Sequence, residues 1–221
     1  MSAASTSLPP DALARVQALL AHGGRRILGL AGPPGGGKST LAAALLAAFP
    51  DDAQVVPMDG FHLANSELHR LGRADRKGAP DTFDAAGYIA LMRRLRRAAD
   101  DGETVYAPEF RREIEEAIAG AIAVAPTTRL VITEGNYLLL DDAPWRELRT
   151  VLDDTWYVGG DDALRRERLI RRHQLFGRGR EAAVEWVERS DEANARLVAA
   201  SRVNARFEFA WPQDKRSPDG R

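Results

Sequence analysis

RILGLA (Arg26–Ala31) runs straight into GPPGGGKS at residues 32–39. The first part is a short apolar run with no polar alternation, which suits a parallel strand buried on both faces. The second matches G-x-x-x-x-G-K-[ST] without a gap. Glycines let such a turn curl until successive N–H groups point at phosphate oxygens, and the helix that follows adds its positive end. Gly32, Pro33, Pro34, Gly35, Gly36 and Gly37 would form the cradle, Lys38 would reach the β and γ phosphates, Ser39 would offer its hydroxyl to Mg²⁺, and Thr40 would reach the α phosphate. A glycine-rich turn carrying Lys-Ser by chance could be spelled the same way. The strand before it and the Ala/Leu helix after it, expected over residues 41–49 and stopped by Pro50, argue for a nucleotide site.

Outward from this stretch, strand and helix patterns alternate. Further strands are expected over residues 54–58, 130–133, 154–158 and 207–211, with helices over 11–21, 85–99, 163–173 and 181–200. Alternation of this kind predicts a three-layer α/β P-loop fold: a parallel sheet, helices on both faces and a small lid around 161–181, in one domain spanning 1–221. Residues 1–10 and 213–221 read as flexible ends, and residues 61–80, rich in Gly, Arg and Asp, as a mobile excursion over the sheet edge.

The charge balance, 31 basic against 32 acidic residues, argues against nucleic acid as a partner, which usually demands a basic excess. With no cysteine, thiolate chemistry and Cys-based zinc sites are excluded. No apolar stretch approaches the ~20 residues of a membrane span, and no export signal is spelled, so a cytoplasmic protein is expected. A homodimer stays open, since neither a heptad nor a long apolar stripe argues for one.

Two carboxylates close strands. Asp59, in VPMDGFH, would lie near the γ phosphate, where it could take the proton of an attacking hydroxyl or hold a water on Mg²⁺. Read blandly, Asp59-Gly60 is a turn. Glu134, in VITEGNYLLL, stands where an acid commonly supports the Mg²⁺ shell; its bland reading is a loop or capping carboxylate.

VPMDGFH, RKGAPDTFDAAGY, VYAPEFRREIEEAIAG and VITEGNYLLL follow the P-loop in order. Together they resemble the kinase family that holds type I pantothenate kinase, uridine kinase and phosphoribulokinase, and most of all its pantothenate-kinase-like branch of sugar and nucleoside kinases. The resemblance implies Asp59 as catalytic base, Lys77-Gly78 as the family's Lys-Gly, a pocket segment at Ala107-Pro108-Glu109-Phe110, and Glu134-Gly135 as its Glu-Gly pair. Phe110-Arg111-Arg112 stands where pantothenate kinases carry Tyr-Ser-His, so the acceptor does not transfer from a named member.

Around the expected acceptor pocket stand His62, Lys77, Tyr106, Phe110 and Arg112, with Asn65, Arg76, Asp84 and Arg111 nearby. Arg111 and Arg112 suit an acceptor with its own anionic group. Beside Glu113, Glu115 and Glu116 they could equally make a charge-paired helix face. His22, His69 and His173 show no metal-like pairing and read as surface residues.

In the helix DALRRERLIRRH, Arg165, Arg168 and Arg172 fall on one face, with Leu164 and Leu169 as anchors. In relatives such lid arginines stabilise the phosphoryl group in flight, which assigns that role to Arg168 and Arg172; a merely salt-bridged helix is the other reading. The expected activity is transfer of the γ phosphate of ATP to a hydroxyl of a small molecule (a sugar, nucleoside or pantothenate-like alcohol). A nucleoside-monophosphate kinase and an ATP-binding regulatory switch are the alternatives.

Overall fold

The computed structural model describes residues 8–211; of the flexible ends expected at 1–10 and 213–221, residues 1–7 and 213–221 lie outside the described residues, while Pro10 already belongs to a helix. Pro10 opens α1 (Pro10–Ala21). In chain order there follow β1 (Arg26–Ala31), α2 (Lys38–Ala48), β2 (Ala53–Val55), α3 (Asn65–Arg70), α4 (Ala85–Ala98), β3 (Val105–Arg111), β4 (Glu116–Val124), β5 (Leu130–Gly135), β6 (Asp154–Gly159), α5 (Asp162–Leu175), α6 (Arg180–Trp186), α7 (Glu192–Ala200) and β7 (Phe207–Ala210).

Five strands make one parallel sheet in the order β2-β5-β1-β6-β7. Side chains alternate across it, because successive residues of a strand point to opposite faces. Ile27 and Ala31 of β1 and Val131 of β5 join Tyr88, Met92 and Leu95 of α4 on one face. Leu28, Leu30, Leu130, Ile132 and Trp156 join Val16 of α1 and Leu41 and Leu45 of α2 on the other. The expected three-layer α/β architecture is therefore found, and β1, the run that opens the sequence reading, sits at its centre.

Three elements differ from expectation. The strand expected over 54–58 stops at Val55, because Pro57 has no N–H to continue the ladder; the chain turns instead through a 3₁₀ helix, Met58–Phe61. The helix expected over 181–200 is split by a π-helical turn, Val187–Asp191. Residues 111–116, read alternatively as a helix face, form the tip of an antiparallel hairpin made by β3 and β4, with Glu115 at φ 53° in the turn.

Residues 61–80 hold α3 and the short 3₁₀ turn Ala74–Arg76. Among the described residues no helix is long and apolar enough to cross a membrane.

Candidate active site

A cleft of about 880 Å³ opens above the carboxyl ends of the central strands, as open α/β sheets lead one to expect. Its floor is the P-loop. Gly37 ends that loop in the left-handed region (φ 89°), and a Cβ there would stand 2.8 Å from the Trp211 indole nitrogen, so no other residue fits. Lys38, buried at the first turn of α2, points into the cleft. Its ammonium donates to Gly32 O (2.9 Å), Pro33 O (3.0 Å) and Asn136 Oδ1 (2.8 Å). Burial pulls its pKa down to about 8, against the opposing pull of Glu134 and Asp59.

Ser39 Oγ donates to Glu134 Oε1 at 2.8 Å. Glu134 lies in β5, hydrogen-bond partner of β1, which is why a residue 95 positions away reaches the P-loop. Burial and the charge of Asp59 push its carboxyl above the ordinary range, against the pull of Lys38 and Ser39. A hydroxyl and a carboxylate side by side are hard oxygen donors. Mg²⁺ characteristically takes one or two protein oxygens and completes its shell with phosphate and water, so this pair fits it. Among the described residues no group of three or more His, Cys, Asp or Glu is arranged as a metal cage.

Asp59 lies in the 3₁₀ turn that follows β2 and lines the same cleft as Lys38 and Ser39. The hairpin crosses that turn at close range: a Cβ on Gly60 would stand 2.4 Å from the Pro108 carbonyl oxygen. This approach lets Arg112, at the hairpin tip, donate from Nη2 to Asp59 Oδ2 at 3.2 Å. The carboxylate thus meets a cation from 53 residues downstream.

The side of the cleft where the acceptor was expected is a wall assembled from three segments. His62 Nδ1–H donates to the Asp59 carbonyl oxygen (2.7 Å), and its ring lies 4.0 Å from Phe83 and 4.6 Å from Phe110. Burial lowers its pKa, against the pull of Asp59. Lys77 donates to Asn65 Oδ1 (2.7 Å) and Glu115 O (2.5 Å), with its ammonium 5.1 Å from the Phe110 ring centre. Tyr106, expected in the pocket, is 61% exposed and lies off the cleft, because alternation along β3 turns its side chain away from buried Val105 and Ala107. Arg111 is exposed and pairs with Glu109.

Helix α5 closes the cleft from above, and its three arginines part company. Arg165 is buried and bonds Glu192 (2.6 Å) and Asp162 (3.0 Å), tying α5 to α7. Arg168 and Arg172 line the cleft. Burial, then the neighbouring Arg112 charge, lowers the Arg172 pKa against the pull of Asp191, Asp59 and Glu134. Leu169 is buried as expected, whereas Leu164 is 39% exposed and anchors little. His173, read as a surface residue, instead bonds Asp191 at 2.8 Å at the cleft edge, where the π turn carries that carboxylate inward. Asn136 was missed; its place directly after Glu134-Gly135 was the signal available.

No protein-family model matches the chain. Curated relatives do. A Schizosaccharomyces pombe protein named "Putative uridine kinase" is 36% identical over 200 residues, covering 86% of this chain and 84% of that one. The Escherichia coli protein YggC, uncharacterized by name, is 37% identical over 179 residues, or 79% and 73% of the two chains. Among solved structures, one described as a putative fructose transport system kinase from Silicibacter sp. TM1040 superposes with a TM-score of 0.81 at 40% identity, covering 92% of this chain and all of that one. YFH7 from Saccharomyces cerevisiae, described as a putative P-loop containing kinase, shares the fold at a TM-score of 0.74 and 18% identity over 92% and 99% of the two chains. With the cradle, the strand-end acids and these relatives in agreement, the chain belongs to the P-loop kinase family of type I pantothenate kinase, uridine kinase and phosphoribulokinase.

Proposed function

We propose that the protein transfers the terminal phosphoryl group of ATP to a hydroxyl of a small molecule. One juxtaposition supports this most: Asp59 lines the same cleft as Lys38 and Ser39, with a wall of polar and aromatic side chains beside it. A pure nucleotide switch has no use for that wall. In this reading the acceptor oxygen attacks the outermost phosphorus, the bond to the ADP oxygen breaks, and Asp59 takes the hydroxyl proton. Arg112, bonded to Asp59, holds the carboxylate in place.

The P-loop residues from Gly32 to Thr40 cradle the phosphates, and Lys38 exchanges its present oxygen partners for phosphate oxygens. Ser39 and Glu134 would hold Mg²⁺, which when bound neutralises phosphate charge. Arg168 and Arg172 stabilise negative charge on the transferring group, and the segment around 161–181 acts as the lid that keeps water from competing with the acceptor. His62, Lys77, Phe110 and Arg112 hold the acceptor; Tyr106 is left out. The relatives' names point to a nucleoside or a sugar as the first acceptors to try.

The test is ADP production measured across a panel of sugars, nucleosides, nucleoside monophosphates and pantothenate. Stimulation by a sugar or nucleoside is the expected result. Stimulation by monophosphates alone would point to a nucleoside-monophosphate kinase. Slow hydrolysis indifferent to every acceptor would point to a regulatory ATP-binding protein.

A further inference from the structure

Asp191 breaks the pattern of the helices that carry it. The buried residues of α6, the π turn and α7 are Ala183, Val187, Asp191, Ala195 and Val198, an apolar stripe with one carboxylate at its middle. Asp191 is 8% exposed, and a buried carboxylate needs hydrogen-bond partners. One oxygen, Oδ2, accepts from His173 Nε2–H at 2.8 Å. The other accepts nothing from the described residues, and the side chain does not cap α7. Asp191 lines the cleft beside Ser190 and Asn194, whose side chains likewise make no hydrogen bond with the described residues. A π turn commonly marks a functional site, and here it ends on this group.

The facing wall has its polar groups already paired. Asp59 accepts from Arg112, His62 donates to the Asp59 carbonyl oxygen, and Lys77 donates to Asn65 and to the Glu115 carbonyl oxygen. A tie between α5 and α7 does not account for Asp191, since Arg165 and Glu192 already make one at 2.6 Å and a tie leaves no oxygen idle. Position along α5 places the group. Leu169 packs on the P-loop, where a Cβ on Gly35 would meet its Cγ at 2.8 Å. His173 stands one turn farther on, ~6 Å along the helix axis. The charges of Asp191 and Asp59 both act on the adjacent Arg172. Asp191 therefore lies beyond the phosphate cradle, on the side of Asp59.

A carboxylate accepts hydrogen bonds from hydroxyls and repels anions. An ammonium group would instead meet Arg112 and Arg172, which line the same cleft. Ser190 and Asn194 both give and take hydrogen bonds, and Asp191 and Asn194, three apart, share one helix face. Such a set suits several hydroxyls of one uncharged molecule. We infer that Asp191, Asn194 and Ser190 form the α5-side half of the acceptor site, that His173 is a positioning residue for Asp191, and that the acceptor they select is an uncharged polyol. This rests on the proposed function and narrows its acceptor class.

Steady-state kinetics test it. Sugars and nucleosides, D-ribose and uridine among them, are the uncharged probes; ribose 5-phosphate, UMP and pantothenate are the charged ones. The wild-type protein should use an uncharged probe at least about tenfold better, in kcat/KM, than any charged one, because like charges facing each other are costly. Asp191→Asn should raise KM for that probe about tenfold, since hydrogen bonds to a charged group are worth more than neutral ones. KM for ATP should hold, and the preference over charged probes should narrow. His173→Ala should raise the same KM, and His173→Gln, whose amide donates where Nε2 did, should restore it. Should Asp191→Asn fail to fold, Asn194→Ala, at a half-buried position, should raise the acceptor KM alone. An unchanged acceptor KM in these variants, or equal rises for acceptor and ATP, reduces the His173–Asp191 pair to a tie and overturns the inference. A wild-type preference for a charged probe overturns it too. Both results leave the kinase reading standing, whereas turnover with no acceptor at all sinks both.

Discussion

The floor and the wall of the cleft are built on different principles. The floor is one unbroken run, residues 32–39, in which backbone N–H groups and a helix start do the binding, so the site exists wherever that run folds. The wall is assembled: Asp59 and His62 from a 3₁₀ turn, Asn65 and Lys77 from the excursion, Phe110 and Arg112 from a hairpin. A contiguous site is fixed by local geometry, whereas an assembled one depends on long-range packing at every joint. The two regions should therefore fail separately.

The sharpest separation comes from Asp59→Asn. Loss of the base should lower acceptor-dependent turnover by at least about 10²-fold while ATP affinity, followed by calorimetry, moves little. A variant that kept its rate would remove Asp59 from the chemistry.

Next comes a contrast along α5. Arg165→Ala leaves the largely buried Glu192 carboxylate only the looser Arg166 contact at 3.6 Å and should cost about 3 kcal/mol in denaturant unfolding. Arg172, whose guanidinium makes no hydrogen bond or ion pair with the described residues, should give an alanine variant within about 1 kcal/mol of wild type but far slower in turnover. Equal stability losses in the two variants would erase the distinction between a tie and a working arginine.

Breaking the joint of the wall should cost less. Gly60→Ala puts a Cβ against the Pro108 carbonyl and should lower stability by about 1–3 kcal/mol. The hairpin shifts, so KM for the acceptor should rise while that for ATP holds. Parallel rises in both would mean that floor and wall are one unit.

The smallest effect is in protons. Lys38 has a pKa of about 8 in the folded protein, below its ordinary 10.5, so its charged form costs stability. That cost is absent above the ordinary value and grows as pH falls toward about 8. Bound phosphates favour the ammonium. Nucleotide binding near pH 8 should accordingly take up protons, and affinity should weaken as pH rises through 8. Calorimetry in buffers of differing ionisation enthalpy reads this directly; proton release would contradict it.

The same contrast explains what could be read from the sequence. β1, the P-loop and α2 were legible because their signals are local: an apolar run, glycines, then Lys-Ser. The five-stranded α/β sheet followed from strand and helix alternation. The hairpin escaped because Arg111 to Glu116 invite a helical charge pairing, while VYAPEFR, broken by Pro108, carries only a weak two-residue alternation. Tyr106 was misplaced for the same reason, since its facing depends on strand register rather than on its neighbours in sequence. Arg165 and Arg172 look alike in the helix pattern; only the packing of α7 beside one of them makes it a tie. His173 reached the cleft edge through a π turn, a single wide turn with no plain sequence signature.

The hairpin hydrogen-bonds its strands only to each other, outside the five-stranded ladder. It meets the turn that carries Asp59 across a glycine and hands it one guanidinium. Such an appendage can change its residues without disturbing the register of any central strand. New acceptor tastes can thus arise there by drift, on an engine whose fuel intake stays the same.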